Sequence, residues 1–256
     1  MKLMENDYST LDISSEEELI KTFLLPAAKQ QQQQQQYDSP LFWVELGCGA
    51  AGVAKSIAKA FSADTLRIKG FEVDKIQLEK NVAENNNNAC NNLSFEYGGM
   101  QDIALAGGSV DAVIMLKSLH HVPAELLEGG FDEVYRILKP GGKLFVSEPV
   151  FAGEFNDILR IFHDEQAVRA NAFEQLQKQV TRGRFQLEQE IHFTSCSKYP
   201  KGFEDFDERI IQSTHTEHKL EEDKLKMVQE KFAKHVQEDG SAHFLIPMRV
   251  DVLVRS

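Results

Sequence analysis

Between residues 41 and 147, short continuous hydrophobic runs alternate with stretches in which apolar residues recur every three or four positions. The runs predict strands, and the spaced stretches predict helices, one of them from Pro123 to Leu138. The predicted strands are Leu41–Val44, Leu66–Val73, Leu93–Tyr97, Val110–Leu116 and Lys143–Ser147. Strands that alternate with helices through short loops indicate an α/β fold with a doubly wound, mostly parallel sheet.

Two biased stretches border this region. Ser14 and Ser15 followed by Glu16–Glu18 predict a capping box, and the apolar face behind them predicts a helix from about 15 to 29. The glutamine run at 30–36 is interpreted as a tether or a frayed helical extension. The asparagine-rich residues 85–92 are predicted to form a loop after a helix that Asp74 could cap.

The pattern changes after Pro149. Residues 157–179 predict one long amphipathic helix, residues 185–195 a strand, residues 203–212 and 220–236 two helices, and residues 243–254 a closing strand. With no repeat and no clear linker, we interpret 1–256 as a single domain. Its parts are an N-terminal helix with the glutamine tract (1–40), a cofactor-binding core (41–149), a helical cover with one strand (150–240) and the closing strand (241–256).

Composition narrows the classes of protein. The 256 residues carry a formal net charge of −12, which disfavours nucleic-acid binding because the surface repels phosphate backbones. The three cysteines are too scattered for a disulfide framework, and they form no CxxC pair for zinc. Neither a signal peptide nor a membrane span is apparent, so a cytoplasmic protein without a membrane partner is expected. Oligomeric state is left open.

The segment Gly47–Gly52 matches GxGxxG between a predicted strand and a predicted helix, a place where glycines let the backbone approach a ligand. It is not a Walker loop, because Val53 and Ala54 follow the last glycine. Glu45 would oppose a pyrophosphate and suits a cofactor with an ammonium group. Glu72 ends the second strand, where a carboxylate can accept both hydroxyls of a ribose.

Five ordered segments together resemble the class I S-adenosylmethionine-dependent methyltransferases, in the broad branch (methyltransferase type 11) that includes the ubiquinone-biosynthesis enzymes. The segments are Val44–Gly49, Gly70–Asp74, Ser109–Met115, Leu119–Val122 and Leu138–Leu144. The resemblance implies a Rossmann-like sheet of seven strands with an antiparallel C-terminal edge strand, and S-adenosylmethionine as the cofactor.

The resemblance also implies which residues bind that cofactor: the glycine loop and Glu45 at the methionine end, Glu72 at the ribose, and Gly99–Asp102 along the adenine. The full implied set is Glu45, Gly47, Cys48, Gly49, Glu72, Val73, Met100, Gln101 and Asp102. The family often has an aspartate where this chain has Gly99. Asp102, or the backbone near it, is then expected to take over its contact.

Methyl transfer from a sulfonium chiefly requires alignment and exclusion of water, and it needs a general base only if the acceptor must lose a proton. His120 and His121 follow the fourth strand and titrate near neutrality, so either is a candidate base. Lys117 is a candidate for binding an acidic acceptor. Each of the three could instead be structural or solvated, and no metal site is predicted.

The sequence therefore predicts a methyltransferase that acts on a small-molecule acceptor, for which residues 150–240 supply specificity. One alternative is a catalytically silent S-adenosylmethionine-binding interaction module. Another is an NAD-dependent oxidoreductase, which the literal GxGxxG and Glu72 favour and Glu45 opposes.

Overall fold

The computed structural model describes residues 12–34, 39–88, 90–212 and 220–256. Its seven strands form one sheet in the order β3-β2-β1-β4-β5-β7-β6, and the four pairings from β3 to β5 are parallel. The strands are β1 Leu41–Leu46, β2 Leu66–Glu72, β3 Leu93–Tyr97, β4 Val110–Leu116, β5 Leu138–Pro149, β6 Phe185–Tyr199 and β7 Ala242–Arg255. The predicted doubly wound, mostly parallel seven-stranded sheet is confirmed.

The α-helices are α1 Glu16–Gln34, α2 Gly52–Ala60, α3 Lys75–Asn88, α4 Ala124–Ile137, α5 Glu154–Leu159, α6 Gln166–Thr181, α7 Phe203–Phe206 and α8 Glu222–Phe232. Two helix starts follow the sequence prediction. Ser15 Oγ accepts the Glu18 amide at 3.2 Å while Glu18 Oε2 accepts the Ser15 amide at 3.3 Å, which is the capping box. Asp74 Oδ1 accepts the Ile76 amide at 2.8 Å and so caps α3. None of the helices in the described ranges is both long and apolar enough to cross a bilayer.

The chain divides into two compact units. The large unit comprises Ser15–Glu148, Ala170–Ile191 and Val250–Ser256, and its core packs Phe71 and Val113 of the sheet against Phe131 of α4. The small unit comprises Pro149–Arg169 and His192–Arg249 with the segment that ends at Ser14. Its core is aromatic: the ring centroids of Phe206 and Phe232 lie 5.1 Å apart, within the range of favourable ring pairs. The single-domain interpretation remains a prediction.

The closing strand lies one position further in than expected. The sequence placed residues 243–254 at the sheet edge, but β7 lies between β5 and β6. The outermost strand is β6. Its first half lacks the continuous apolar run of an interior strand and is largely exposed. That exposure fits an edge position.

Two helical predictions are wrong. Asn85–Asn88 continue α3 instead of forming a loop, and the Asn85 amide donates to Leu93 O at 2.9 Å, a bond that offsets the weak helix propensity of asparagine. The single helix predicted at 157–179 is two helices, α5 and α6. It breaks at 160–165 because Asp164 Oδ1 accepts the Gln166 amide at 3.0 Å and starts a new helix.

Two further segments differ in part. The helix predicted at 203–212 consists of the short α7 followed by a π-helical turn over Asp207–Ile211. The glutamine tract continues α1 through Gln34, which agrees with the helical-extension interpretation, and residues 35–38 lie outside the described part of the chain.

Candidate active site

The loop between β1 and α2 requires left-handed backbone at three positions. Gly47, Gly49 and Ala51 have φ values of 63°, 51° and 52°. A Cβ at Gly47 would lie 2.8 Å from the Cβ of Ser118, so only glycine fits there, whereas a Cβ at Gly49 would meet nothing within 4 Å. The loop is therefore closely packed against the end of β4 at Gly47 and open beside Gly49.

Glu72 anchors this loop to the end of β2. One carboxylate oxygen accepts the Gly49 amide at 2.6 Å, and the other accepts the amides of Val73 and Asp74 at 2.9 Å each. Three backbone donors on one buried carboxylate hold it in a fixed orientation. The residue predicted for the ribose is thus at the glycine loop, at the carboxyl end of the sheet.

Asn81 is a second anchor, and the sequence reasoning missed it. It is fully buried on α3, and its amide donates to Gly49 O at 2.6 Å while its Oδ1 accepts Lys55 Nζ at 3.2 Å. The available signal was its place one turn after Gln77, which also donates to Asn81 Oδ1 at 3.1 Å. A polar residue repeated on the inward face of a helix indicates a buried hydrogen-bond network.

Glu45 is the most unusual group of the site. Its side chain is buried, with the residue only 4% exposed, and within the described part of the chain no hydrogen bond or ion pair reaches its carboxylate. Burial raises its pKa to about 8, the charges of Glu16 and Glu72 add to the increase, and Lys117 opposes it. A buried carboxylate without a partner is costly unless a cationic group binds it.

These features fit a cofactor that carries an ammonium group and a ribose. Glu45 offers a buried carboxylate that is unpartnered among the described residues, the loop is open beside Gly49, and Glu72 lies at the end of β2. The same arrangement does not suit a pyrophosphate, because Glu45 would repel it as soon as it ionised.

The ends of β4 and β5 bring His120 together with Glu148. His120 Nδ1 is hydrogen-bonded to one carboxylate oxygen of Glu148, and the other oxygen accepts the Leu119 amide at 2.8 Å. His120 is only 5% exposed. His121 is exposed, although its ring centroid lies 4.0 Å from that of His120. His120, one of the two candidate bases, is therefore held by a buried carboxylate.

Lys117, the third catalytic candidate, has φ 54° and pairs its ammonium with Glu16, the first residue of α1. The other oxygen of Glu16 accepts Ser147 Oγ at 3.0 Å, at the end of β5. The sequence reasoning read Glu16 only as part of a helix start. No local pattern could have placed it here, because it lies 101 residues from Lys117 along the chain.

The predicted adenine segment is divided between core and surface. Met100 is buried against Gly130 of α4. A Cβ added at Gly130 would lie only 2.7 Å from the Cγ of Met100. Gln101 and Asp102 are exposed, and Val73 is 55% exposed at the end of β2. Their contacts to a cofactor remain predictions.

Cys48 has a packing role within the loop. Cys48 is buried beside Gly70, and a Cβ added at Gly70 would lie only 2.9 Å from the Sγ of Cys48. Burial, and next the charge of Glu45, raise the pKa of its thiol far above the usual range, so it stays protonated and is unsuited to nucleophilic attack.

Comparisons with known proteins agree with this geometry. Residues 44–142 match the family model described as a methyltransferase domain. The sterol 24-C-methyltransferase ERG6A of Gibberella zeae is 33% identical over 119 residues, which are 46% of this chain and 30% of that protein. The carboxy-S-adenosyl-L-methionine synthase of Alteromonas mediterranea is 30% identical over 149 residues, 56% of this chain and 58% of the synthase. The chain thus spans less than a third of the sterol enzyme and just over half of the synthase.

A solved structure extends the likeness to the fold. The geranyl diphosphate C-methyltransferase of Streptomyces coelicolor, determined with S-adenosyl-L-homocysteine, has a TM-score of 0.51 and 15% identity, covering 91% of this chain and 79% of that one. At that identity the likeness concerns the fold alone. The family match and the two relatives show that residues 44–142, which carry the ordered motifs, are similar to a methyltransferase domain.

Proposed function

We propose that this chain transfers the methyl group of S-adenosylmethionine to a small-molecule acceptor. The observation that carries the proposal is Glu45, a buried carboxylate that no hydrogen bond or ion pair reaches from residues 12–34, 39–88, 90–212 and 220–256, beside the open side of the glycine loop. Its environment suits the cationic methionine end of that cofactor, and Glu72 is placed for the ribose hydroxyls.

In this proposal Gly47, Cys48 and Gly49 line the methionine end together with Glu45, while Val73 and the segment Met100–Asp102 border the adenine. When bound, the cofactor supplies a methyl group that its sulfonium has already activated for displacement. The task of the chain is therefore to hold donor and acceptor in line and to keep water out.

We assign His120 the role of general base for an acceptor that must lose a proton. The carboxylate of Glu148 binds Nδ1 and so fixes the tautomer in which Nε2 accepts a proton, and it stabilises the imidazolium that forms. His121 is exposed and its ring contacts that of His120. Lys117 is less suited to bind an acidic acceptor, because Glu16 already pairs with it.

The acceptor is proposed to be small and not a polynucleotide, which the net charge of −12 supports. The sterol relatives are named for a small-molecule acceptor, and residues 150–240 are proposed to supply acceptor specificity here. A cytoplasmic location is part of the same proposal; three free cysteines support it.

A catalytically silent binding module would use the same cofactor residues, and an NAD-dependent oxidoreductase would use the same loop. The buried pair of His120 and Glu148 favours an enzyme over a silent module, because a titratable dyad serves proton transfer and is costly to bury. Glu45 disfavours the pyrophosphate of NAD.

Calorimetric titration with S-adenosylmethionine, S-adenosylhomocysteine and NAD tests the cofactor, and incubation with acceptor panels tests turnover. We expect binding of the first two and not of NAD. His120→Ala should lose turnover while it keeps cofactor affinity, and His121→Ala is the matched control that retains both. Binding of NAD alone would contradict the proposal, and cofactor binding without turnover of any acceptor would favour the silent module.

A further inference from the structure

The turn that follows β4, residues 117–121, is bound by the ends of both neighbouring strands, β1 and β5. The Lys117 amide donates to Ser147 O, at the end of β5, at 2.7 Å. The His121 amide donates to Ser118 O at 3.2 Å and closes the turn. Lys117 has φ 54°, a left-handed conformation that persists in a non-glycine residue only where surrounding contacts impose it. The neighbouring strands therefore fix the conformation of this turn.

Ser118 joins this turn to the glycine loop. Its hydroxyl donates to Leu46 O at 2.9 Å, and Leu46 is the residue between Glu45 and Gly47. A Cβ added at Gly47 would lie only 2.8 Å from the Cβ of Ser118, so the backbone of the glycine loop packs directly on this side chain. Ser118 therefore contacts the two residues that follow Glu45, the carboxylate proposed to bind the ammonium group of the cofactor.

The two residues after Ser118 are bound by Glu148 of β5. One oxygen of Glu148 accepts the Leu119 amide at 2.8 Å, and the other is hydrogen-bonded to His120 Nδ1. All of these groups belong to the large unit. Because Ser118 and His120 are separated by one residue, a displacement of the glycine loop reaches the imidazole through one hydrogen bond and a short stretch of backbone. Closely packed groups transmit such displacements.

We propose that Ser118 is a positioning residue, which sets the place of the His120 imidazole relative to the glycine loop, so that occupation of the loop adjusts the position of the general base. This inference rests on the proposed function. Glu148 orients the ring with respect to β5, whereas the methyl donor is proposed to bind after β1, and Ser118 links the two sides. Such a link matters because an aligned transfer loses much of its rate when a group is displaced slightly.

The test is NMR of the full chain with isotopically labelled histidine, with S-adenosylhomocysteine as the ligand. The ring signals of His120 are those that disappear in His120→Ala. We expect these signals to shift when S-adenosylhomocysteine binds to the unaltered chain. In Ser118→Ala the ligand should still bind, but most of the shift should be lost, because no hydroxyl then ties the turn to Leu46 O.

Ser109→Ala is the matched control. Ser109 directly precedes β4, at the opposite end of the strand, and its hydroxyl also donates to a backbone carbonyl, Ala106 O at 2.7 Å. This variant should keep the full shift of the His120 signals. Ser118→Cys is a second test variant, because a thiol has nearly the same shape and is a weaker donor, so its shift should be intermediate. Thermal unfolding of each variant verifies the fold.

The inference is wrong if S-adenosylhomocysteine binds to the unaltered chain without shifting the His120 signals, or if Ser118→Ala keeps the full shift. It is also wrong if Ser109→Ala loses the shift to the same extent. A folded Ser118→Ala that no longer binds the ligand would contradict it too, since the hydroxyl would then support only the glycine loop. In all these cases the unaltered chain binds the ligand, so the proposed function stands. If the unaltered chain does not bind it, the proposed function fails first and the inference fails with it.

Discussion

The buried carboxyl group of Glu45 is expected to make cofactor binding depend on pH. The pKa of Glu45 is raised to about 8, so the free protein holds this proton at neutral pH and must lose it when a cationic group binds the carboxylate. Affinity for S-adenosylmethionine should therefore increase as pH rises from about 6 to about 8, by close to tenfold per unit at the lower end. Above the pKa of Glu45 the proton is already gone, and this increase should stop.

Calorimetry in two buffers of different ionisation enthalpy measures the proton released on binding. We expect close to one proton at the acidic end of that range, and much less in Glu45→Gln, which has no proton to lose there. Equal heats in both buffers for the unaltered chain would show that Glu45 does not ionise on binding.

Glu72 holds the glycine loop and is also the residue proposed to bind the ribose. Glu72→Ala removes the acceptor of three backbone amides, those of Gly49, Val73 and Asp74. It should weaken cofactor binding by about 1–3 kcal/mol and also lower the free energy of unfolding. Asn81→Ala is the control: it removes the hydrogen bond to Gly49 O but not the predicted ribose contact, so stability should fall with a smaller loss of affinity. Unchanged affinity in Glu72→Ala would discard the ribose role.

At the scale of elements, one buried asparagine joins a helix to the sheet. The Asn92 amide donates to Ala58 O and Phe61 O, at the end of α2, and to Leu66 O, at the start of β2, at 2.9, 2.9 and 3.2 Å. Asn92→Ala leaves these carbonyls without that donor and should cost about 2–3 kcal/mol in urea unfolding. The exposed neighbour provides the comparison, since Asn91→Ala should change stability by less than about 0.5 kcal/mol. Similar losses in both variants would rule out this role for Asn92.

Asn92 also shows why amino-acid composition alone does not predict which elements a stretch forms. An asparagine-rich stretch predicts a loop, yet Asn85 lies on a helix and Asn92 is buried, because distant carbonyls accept their amides. The break between α5 and α6 was equally invisible to periodicity, since one side chain, Asp164, decides it. By contrast, β3 and β4 begin and end at the predicted residues, and for β4 the reason is a nearly continuous apolar run that specifies a buried strand.

For the molecule as a whole, the parts of the candidate site that could be predicted from sequence lie within the ordered motifs. Glu45 and Glu72 lie at the carboxyl ends of β1 and β2, and the glycine loop follows β1, so the parallel sheet brings them together. Glu16 and Glu148 could not be placed so directly. Glu16 meets Ser147 across 131 residues, and Glu148 meets His120 across 28, contacts that arise only once the sheet has formed. The sequence predicts the order of strands and helices, but long-range contacts decide which polar groups face each other.

The net charge of the whole chain bears on the class of acceptor. With 40 acidic and 28 basic residues, the chain is surrounded by a negative potential that repels nucleic-acid backbones at long range. Anisotropy of a labelled DNA duplex and of a labelled RNA should therefore show no binding below about 100 µM protein, even at low salt, where electrostatic attraction is strongest. The measurement should be repeated with S-adenosylhomocysteine present, so that the site is occupied. Binding that weakens steeply with added salt would reveal a local basic surface, and the acceptor would then have to be sought among polynucleotides instead of small molecules.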